Sequence, residues 1–180
     1  MRPLSLIPVL LFAALFALLG YRLFLVGQGE TPDVIPSVLI GKPMPDFRLP
    51  PLEPDRPGVT SDAIRGKITL INFFASWCAP CRAEHPSLVA LARDKRIQLI
   101  GIAYKDRPSD LTDWLQRQGN PYDAIGLDDD GRAAIEFGVY GIPESYLIDR
   151  DGRIRFKQTG PFSESNIAEK LIPLIEKLSR

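Results

Sequence analysis

The chain has 180 residues, with 22 Lys+Arg against 22 Asp+Glu and one His, a length that suits one domain plus accessories. The absence of a basic excess argues against nonspecific nucleic-acid binding, and 45% hydrophobic with 24% charged residues argues against wholesale disorder. Two cysteines and a single histidine exclude a disulfide-rich scaffold and leave too few nitrogen and sulfur ligands for a structural zinc site.

From Pro3 to Tyr21 no residue is charged. Continued through Arg22 to Val26, the apolar run reaches about 35 Å as a helix, enough to span a hydrocarbon layer. A cleaved signal peptide is the competing reading, but Ala17-Leu18-Leu19-Gly20 is a poor cleavage signal and the run is long for one. The expected organisation is a membrane signal anchor over 1–26, a tether over 27–38 and a folded domain over 39–180. The tether lies in a Gly- and Pro-rich stretch without sustained period. Arg2 and the terminal amine against Arg22 weakly favour an internal N-terminus.

Phe47–Leu52 and Val59–Thr60 read as arms of a short hairpin around the Asp55–Gly58 turn. Lys67–Ala75 is nearly continuously apolar and suits a strand buried on both faces. Cys81–Arg93 follows helical spacing, with Leu88, Leu91 and Ala92 on one stripe and Pro86 inside it. Ile97–Tyr104 is a second buried strand. Ser109 opens a helix that Gly119 closes, Tyr122–Leu127 is a further strand, and Arg132–Phe137 a short helix stopped by Gly138. Glu144–Asp149 and Arg153–Gln158 form an antiparallel hairpin, and Ser163 with Asn166 starts the last helix. This order predicts an α/β sandwich with a mixed sheet between helices.

Ser76-Trp77-Cys78-Ala79-Pro80-Cys81 lies at the junction of the buried strand and the next helix. Cys78 falls near the helix N-terminus, where unpaired N–H groups and the macrodipole favour the attacking thiolate. One helical turn brings Cys81 behind it, placed to resolve a mixed disulfide, and Trp77 covers one side. A half-zinc site lacks ligands beyond His85. Arg82 in the fifth position excludes a haem-attachment Cys-x-x-Cys-His. An inert disulfide closing so short a ring gives little stabilisation. Asp128-Asp-Asp130 lacks the glutamate a calcium loop needs, so an acidic helix N-terminus is the better reading.

Gly138-Val-Tyr-Gly-Ile-Pro-Glu-Ser-Tyr-Leu-Ile-Asp149, with Cys81-Arg-Ala-Glu-His-Pro86 and Tyr104-Lys-Asp106, closely resembles the membrane-anchored thiol:disulfide oxidoreductases of cytochrome c maturation (the DsbE or CcmG type). The resemblance runs from about Leu39 to the C-terminus. It implies a thioredoxin-like fold, a mixed central β-sheet flanked by helices, behind an N-terminal transmembrane helix. It also implies a single-pass protein of the bacterial inner membrane whose domain faces the periplasm and keeps apocytochrome c cysteines reduced for haem. The implied partners are apocytochrome c or another thiol protein of that pathway and a membrane electron donor of the DsbD or CcdA type. No metal and no cofactor are expected beyond a redox-active Cys78–Cys81 disulfide. A general membrane-anchored reductase of another pathway and a redox-inert adaptor are the alternatives.

Pro143 matches the position where thioredoxin-like proteins carry a cis proline facing the cysteines; such a bond makes a tight turn without an N–H beside the sulfurs. The Ile142 backbone is then free to pair with an extended substrate, and Tyr140 flanks the same groove. Thioredoxins usually bury an aspartate six residues before the first cysteine. That position here is Asn72, which accepts no proton. The resemblance points to Glu84 and Glu144 as substitutes, with solvated surface carboxylates as the competing reading. His85 is expected on the helix surface, and Tyr146 is expected to pack against a helix layer.

Overall fold

Leu70, Ile71, Phe73 and Phe74 leave neither side of their strand to solvent: all six residues of Thr69–Phe74 are buried. A strand apolar on both faces needs a layer on each side. The computed structural model, which describes residues 7–27 and 37–180, supplies both layers. The chain divides into two compact units, Met1–Pro36 and Ser37–Arg180.

In the first unit, α1 runs over Ile7–Gly27, 21 residues with Arg22 as the only charge, and every described side chain on it is exposed. Among the described residues no helix is long and apolar enough to cross a membrane. Most of the expected tether, residues 28–36, lies outside the described residues.

In the second unit, β1 (Arg48–Leu49) and β2 (Val59–Thr60) form the expected hairpin, followed by α2 (Ser61–Ile64) and β3 (Thr69–Phe74). Then come α3 (Ala79–Leu91), β4 (Gln98–Tyr104), α4 (Pro108–Gln118), β5 (Ala124–Asp128) and α5 (Arg132–Glu136). The β6 (Glu144–Ile148) and β7 (Ile154–Thr159) hairpin precedes a C-terminal run of α6 (Glu164–Asn166), a π-helical stretch (Ile167–Leu171) and α7 (Ile172–Ser179). The sheet order is β5-β4-β3-β6-β7. β3, β4 and β5 are parallel, while β6 runs antiparallel to both β3 and β7. The mixed sheet follows from the connections. Helical crossovers α3 and α4 return the chain parallel, and the tight turn at Asp149–Gly152 reverses it.

Alternation along β3 sorts the core into two layers. Leu70 and Phe74 meet Leu88 and Leu91 of α3, Leu111 and Trp114 of α4, and Ile175 of α7. Ile71 and Phe73 meet Tyr146 of β6, Ala133 of α5, Ile64 of α2 and Val59 of β2. Each such buried Val, Leu, Ile or Phe side chain contributes roughly 1.5–3 kcal/mol relative to exposure.

A strap covers β5 over Ile125–Leu127 and another covers only the start of β7. Leu52 N–H donates to Ile125 O, and Leu127 N–H donates to Pro50 O, with Pro51 opposite Gly126. At the start of β7, Ile154 N–H donates to Lys42 O and Pro43 stands opposite Arg153.

Local chemistry departs from expectation in two places. α4 begins at Pro108 rather than Ser109, with no side-chain cap; proline's fixed φ and missing N–H suit a first helical position. The last helix opens as read, Ser163 accepting from Asn166 N–H at 3.2 Å, but then widens into a π-type stretch just before Pro173. A proline there offers no N–H and its ring crowds the carbonyl four residues back, which favours the wider turn. The acidic run caps α5 as expected: the two Asp128 oxygens accept from Ala133 and Ala134 N–H at 3.1 and 2.9 Å.

Candidate active site

β3 ends at Phe74, and four residues later Cys78 forms the N-cap of α3. Its sulfur accepts from the Cys81 backbone N–H at 3.2 Å, as a cap acceptor should. Cys78 and Cys81 are disulfide-bonded with Cα atoms 5.3 Å apart, and both are buried. The donors and dipole at this helix end would stabilise a Cys78 thiolate once the bond is reduced.

The approach to Cys78 is held by the loop after β4. Asp106 accepts from the Ser76 backbone N–H and, at 2.8 Å, from its hydroxyl. Lys105 sits in the left-handed region at φ 47°, a conformation that costs a non-glycine residue energy. Its carbonyl accepts from Trp77 Nε1 at 3.3 Å, so the indole is fixed while 54% of it stays exposed. Lys105 and Asp106 were readable in the sequence only as part of a family motif; their clamping role needs the fold.

Across the cysteines, Ile142–Pro143 is a cis peptide bond and Ile142 O lies 3.6 Å from the Cys78 sulfur. Tyr140, two residues earlier, is 69% exposed. Trp77, Tyr140, Ile142 and Pro143 therefore belong to the segments that flank the reactive sulfur.

Asn72 lies at the centre of a buried polar cluster behind the disulfide. Its Nδ2 donates to Glu84 Oε1 and to Ser145 Oγ, both at 2.9 Å, and its Oδ1 accepts from the Tyr122 hydroxyl at 2.7 Å. Ser145 faces it because the two are register partners across β3 and β6. Glu84 also accepts from Phe162 N–H at 2.8 Å through Oε2. Burial pushes the Glu84 carboxyl up to about 7, against the pull of the Phe162 N–H and the Asn72 amide. It is thus no surface carboxylate. Tyr122 and Ser145 were not singled out from sequence, where they read only as strand residues.

Glu144 is also buried but is not brought to this cluster. Ser145 points toward Asn72, so alternation turns Glu144 to the opposite face of β6. There it meets Lys157 Nζ at 2.9 Å and the Tyr146 hydroxyl at 2.9 Å. The expectation that Glu144 reaches Cys81 is corrected by this one-residue phase. Lys157 also donates to Gly138 O at 3.0 Å and lies 4.2 Å from the Tyr140 ring, tying both ends of the 138–144 segment to β7. Tyr146 packs against Phe73 and Phe137 as expected.

His85 is corrected too: it is buried, not on the helix surface, with Nε2 3.0 Å from Gly119 O and its ring 4.4 Å from that of Trp114. Burial pulls its pKa below the ordinary value. Among the described residues no group of acidic, histidine or cysteine side chains forms a metal site.

A cysteine pair at a strand–helix junction, faced by an X–Pro turn across a mixed five-stranded sheet, defines a thioredoxin-like thiol:disulfide oxidoreductase. The chain belongs to the Redoxin family, whose model matches residues 39–172. It is 52% identical over 121 residues to the thiol:disulfide interchange protein CycY of Rhizobium leguminosarum bv. viciae, covering 67% of this chain and 65% of that protein's length. It is 40% identical over 182 residues to the thiol:disulfide interchange protein DsbE of Escherichia coli K12, covering 99% and 97% of the two chains. The crystal structure of a thiol:disulfide interchange protein of the thioredoxin family from Chlorobium tepidum TLS superposes with a TM-score of 0.62 at 26% identity, over 83% of this chain and all of that one.

Proposed function

We propose that this oxidoreductase works as a periplasmic reductant in cytochrome c biogenesis, held at the bacterial inner membrane by its N-terminal helix. Cys78 attacks a disulfide of apocytochrome c or of a thiol partner in that pathway, and Cys81 resolves the mixed disulfide. Electrons return from a membrane donor of the DsbD or CcdA type. The resemblance of residues 138–149 to the cytochrome c maturation type, together with relatives named DsbE and CycY, supports the pathway. A 21-residue helix whose sequence is mostly apolar, with Arg22 its only charged residue, supports the anchor, since a predominantly apolar surface is stable only when covered by protein or lipid.

The observation that carries the reading is the placement of Cys78. Its sulfur caps α3 and lies beside the Ile142 carbonyl, so an extended substrate strand paired there would present its own sulfur to the nucleophile. Glu84, three residues past Cys81 on α3, is the group proposed to take the Cys81 proton, because a buried carboxyl with pKa near neutrality suits a general base. Trp77 and Tyr140 supply apolar walls.

Ala79 and Pro80 place no cation between the cysteines, so the thiolate gains little beyond the helix terminus. A less stabilised reduced form gives a lower potential, and equilibration with glutathione is expected to give a potential well below that of the oxidant DsbA. The function itself is tested by trapping. Cys81→Ala cannot resolve its mixed disulfide, and mass spectrometry of the captured species in a periplasmic extract is expected to find apocytochrome c or a thiol protein of its assembly. Capture only of unrelated disulfide proteins, with normal cytochrome yield in a deletion strain, favours a general reductase.

A further inference from the structure

The Asn72 amide has two orientations, and they serve opposite protonation states of Glu84. With Nδ2 toward Glu84, the amide donates to a carboxylate oxygen. With Oδ1 there, it accepts only from a protonated carboxyl. Which orientation holds is decided by the other neighbours. Ser145 is a hydroxyl and serves either, donating or accepting. Tyr122 does not: its hydroxyl is buried, its only acceptor among the described residues is Asn72 Oδ1 at 2.7 Å, and a flipped amide would leave that O–H without a partner. Burial and the nearby Glu84 raise the Tyr122 pKa far above its ordinary value, so the phenol remains a donor throughout the working range.

We infer that Tyr122 is a positioning residue for proton transfer from Cys81: its hydroxyl fixes the Asn72 amide with Nδ2 toward Glu84 and so holds Glu84 as the carboxylate that takes the proton. This rests on the reading of Glu84 as the base. In the step concerned, Cys81 loses its proton to Glu84 and its sulfur attacks the Cys78 sulfur. The Cys81–Cys78 bond forms, the bond from Cys78 to the partner sulfur breaks, and the electron pair leaves on the partner as thiolate. The groups facing Glu84 are few. β3 presents Asn72, with Ser145 and Tyr122 acting through it, and the segment before α6 presents the Phe162 N–H. On α3 itself Cys81 lies one turn back, and His85 is directed to Gly119 and Trp114. No ion pair to Glu84 occurs among the described residues.

Tyr122→Phe keeps the ring stacked on Phe74, 4.6 Å between centroids, and removes only the hydroxyl. The full chain is loaded with glutathione on Cys78, and glutathione release is followed from about pH 5 to pH 9 for wild type, Tyr122→Phe and Glu84→Gln. The expected result is a Tyr122→Phe profile whose inflection moves to higher pH. Release is then slowed about 3–10-fold near neutrality, as for loss of one buried hydrogen bond, and converges with wild type at the alkaline end. A profile that superimposes on wild type overturns the inference, as does an equal slowing at every pH, which marks a packing role. If Glu84→Gln itself releases glutathione at the wild-type rate, the base reading fails and this inference with it. If Glu84→Gln is slow and Tyr122→Phe is unchanged, only the positioning role falls.

Discussion

The Glu84 carboxyl accepts N–H bonds at both oxygens, yet its pKa is raised, because removal from water outweighs two donors. Replacing it with glutamine is expected to slow mixed-disulfide resolution about 10–100-fold, the lower part of the acid–base range, while Glu144→Gln resolves at the wild-type rate; rapid-quench alkylation checks both. The same shift has a thermodynamic face. A carboxyl at 4.5 when unfolded and about 7 when folded contributes stability that is fully present below pH 4.5 and lost as pH rises to about 7. Glutamine does not titrate, so the melting temperature of Glu84→Gln relative to wild type is expected to rise between pH 5 and pH 8. His85, whose pKa burial lowers, works in the other direction in both proteins and cancels in the difference. Lys157 and Glu144 form a buried ion pair. Lys157→Met alone strands the carboxylate and is expected to cost roughly 3–5 kcal/mol. The double variant with Glu144→Gln recovers most of that in a denaturant titration.

At the level of elements, β5 and the β1–β2 hairpin meet where no side chain fits. A Cβ on Gly126 would lie 2.8 Å from Leu49 Cβ and 3.2 Å from Val59 Cβ, so Gly126→Ala is expected to push the hairpin off the sheet at a cost of about 1–3 kcal/mol. Thermal melts read the loss, and alkylation of reduced Cys78 is expected to stay unchanged. β3 was legible in the sequence because an unbroken apolar run bounded by Gly66 and the cysteine motif has few other uses. The hairpins were legible from their turns, and α5 from its acidic entry. Glu144 was not. Its strand was read correctly, but which of two faces residue 144 takes depends on pairing with β3, and a shift of one residue reverses the answer. His85 failed for a different reason: the stripe through Leu88, Leu91 and Ala92, run back one turn, passes through position 85, but a titratable side chain was assigned to solvent because its cover, Trp114, comes from another helix. The Asn72 cluster draws on residues 72, 84, 122, 145 and 162, a grouping that no local pattern signals.

For the whole molecule, the proposed anchor implies that the protein stays with the membrane fraction after alkaline carbonate washing, as a chain inserted in the hydrocarbon layer does. Recovery of a soluble form starting after Gly20 is the outcome against it. The straps along the sheet carry a consequence for specificity. A surface that takes up extended chain by backbone pairing templates whatever strand arrives, and every open sheet edge competes for the role. Beyond β5, Pro50 O and Leu52 N–H point inward to the sheet, so the groups of Pro51 face outward, and proline has no hydrogen to offer there. The segment over the start of β7 likewise carries Pro43. The ladder cannot be extended through these prolines, neither by a client nor by a second copy of the chain. Pairing of an incoming strand is thereby excluded along β5 and at the start of β7, and where the sheet is sealed matters as much to the choice of substrate as where it is open.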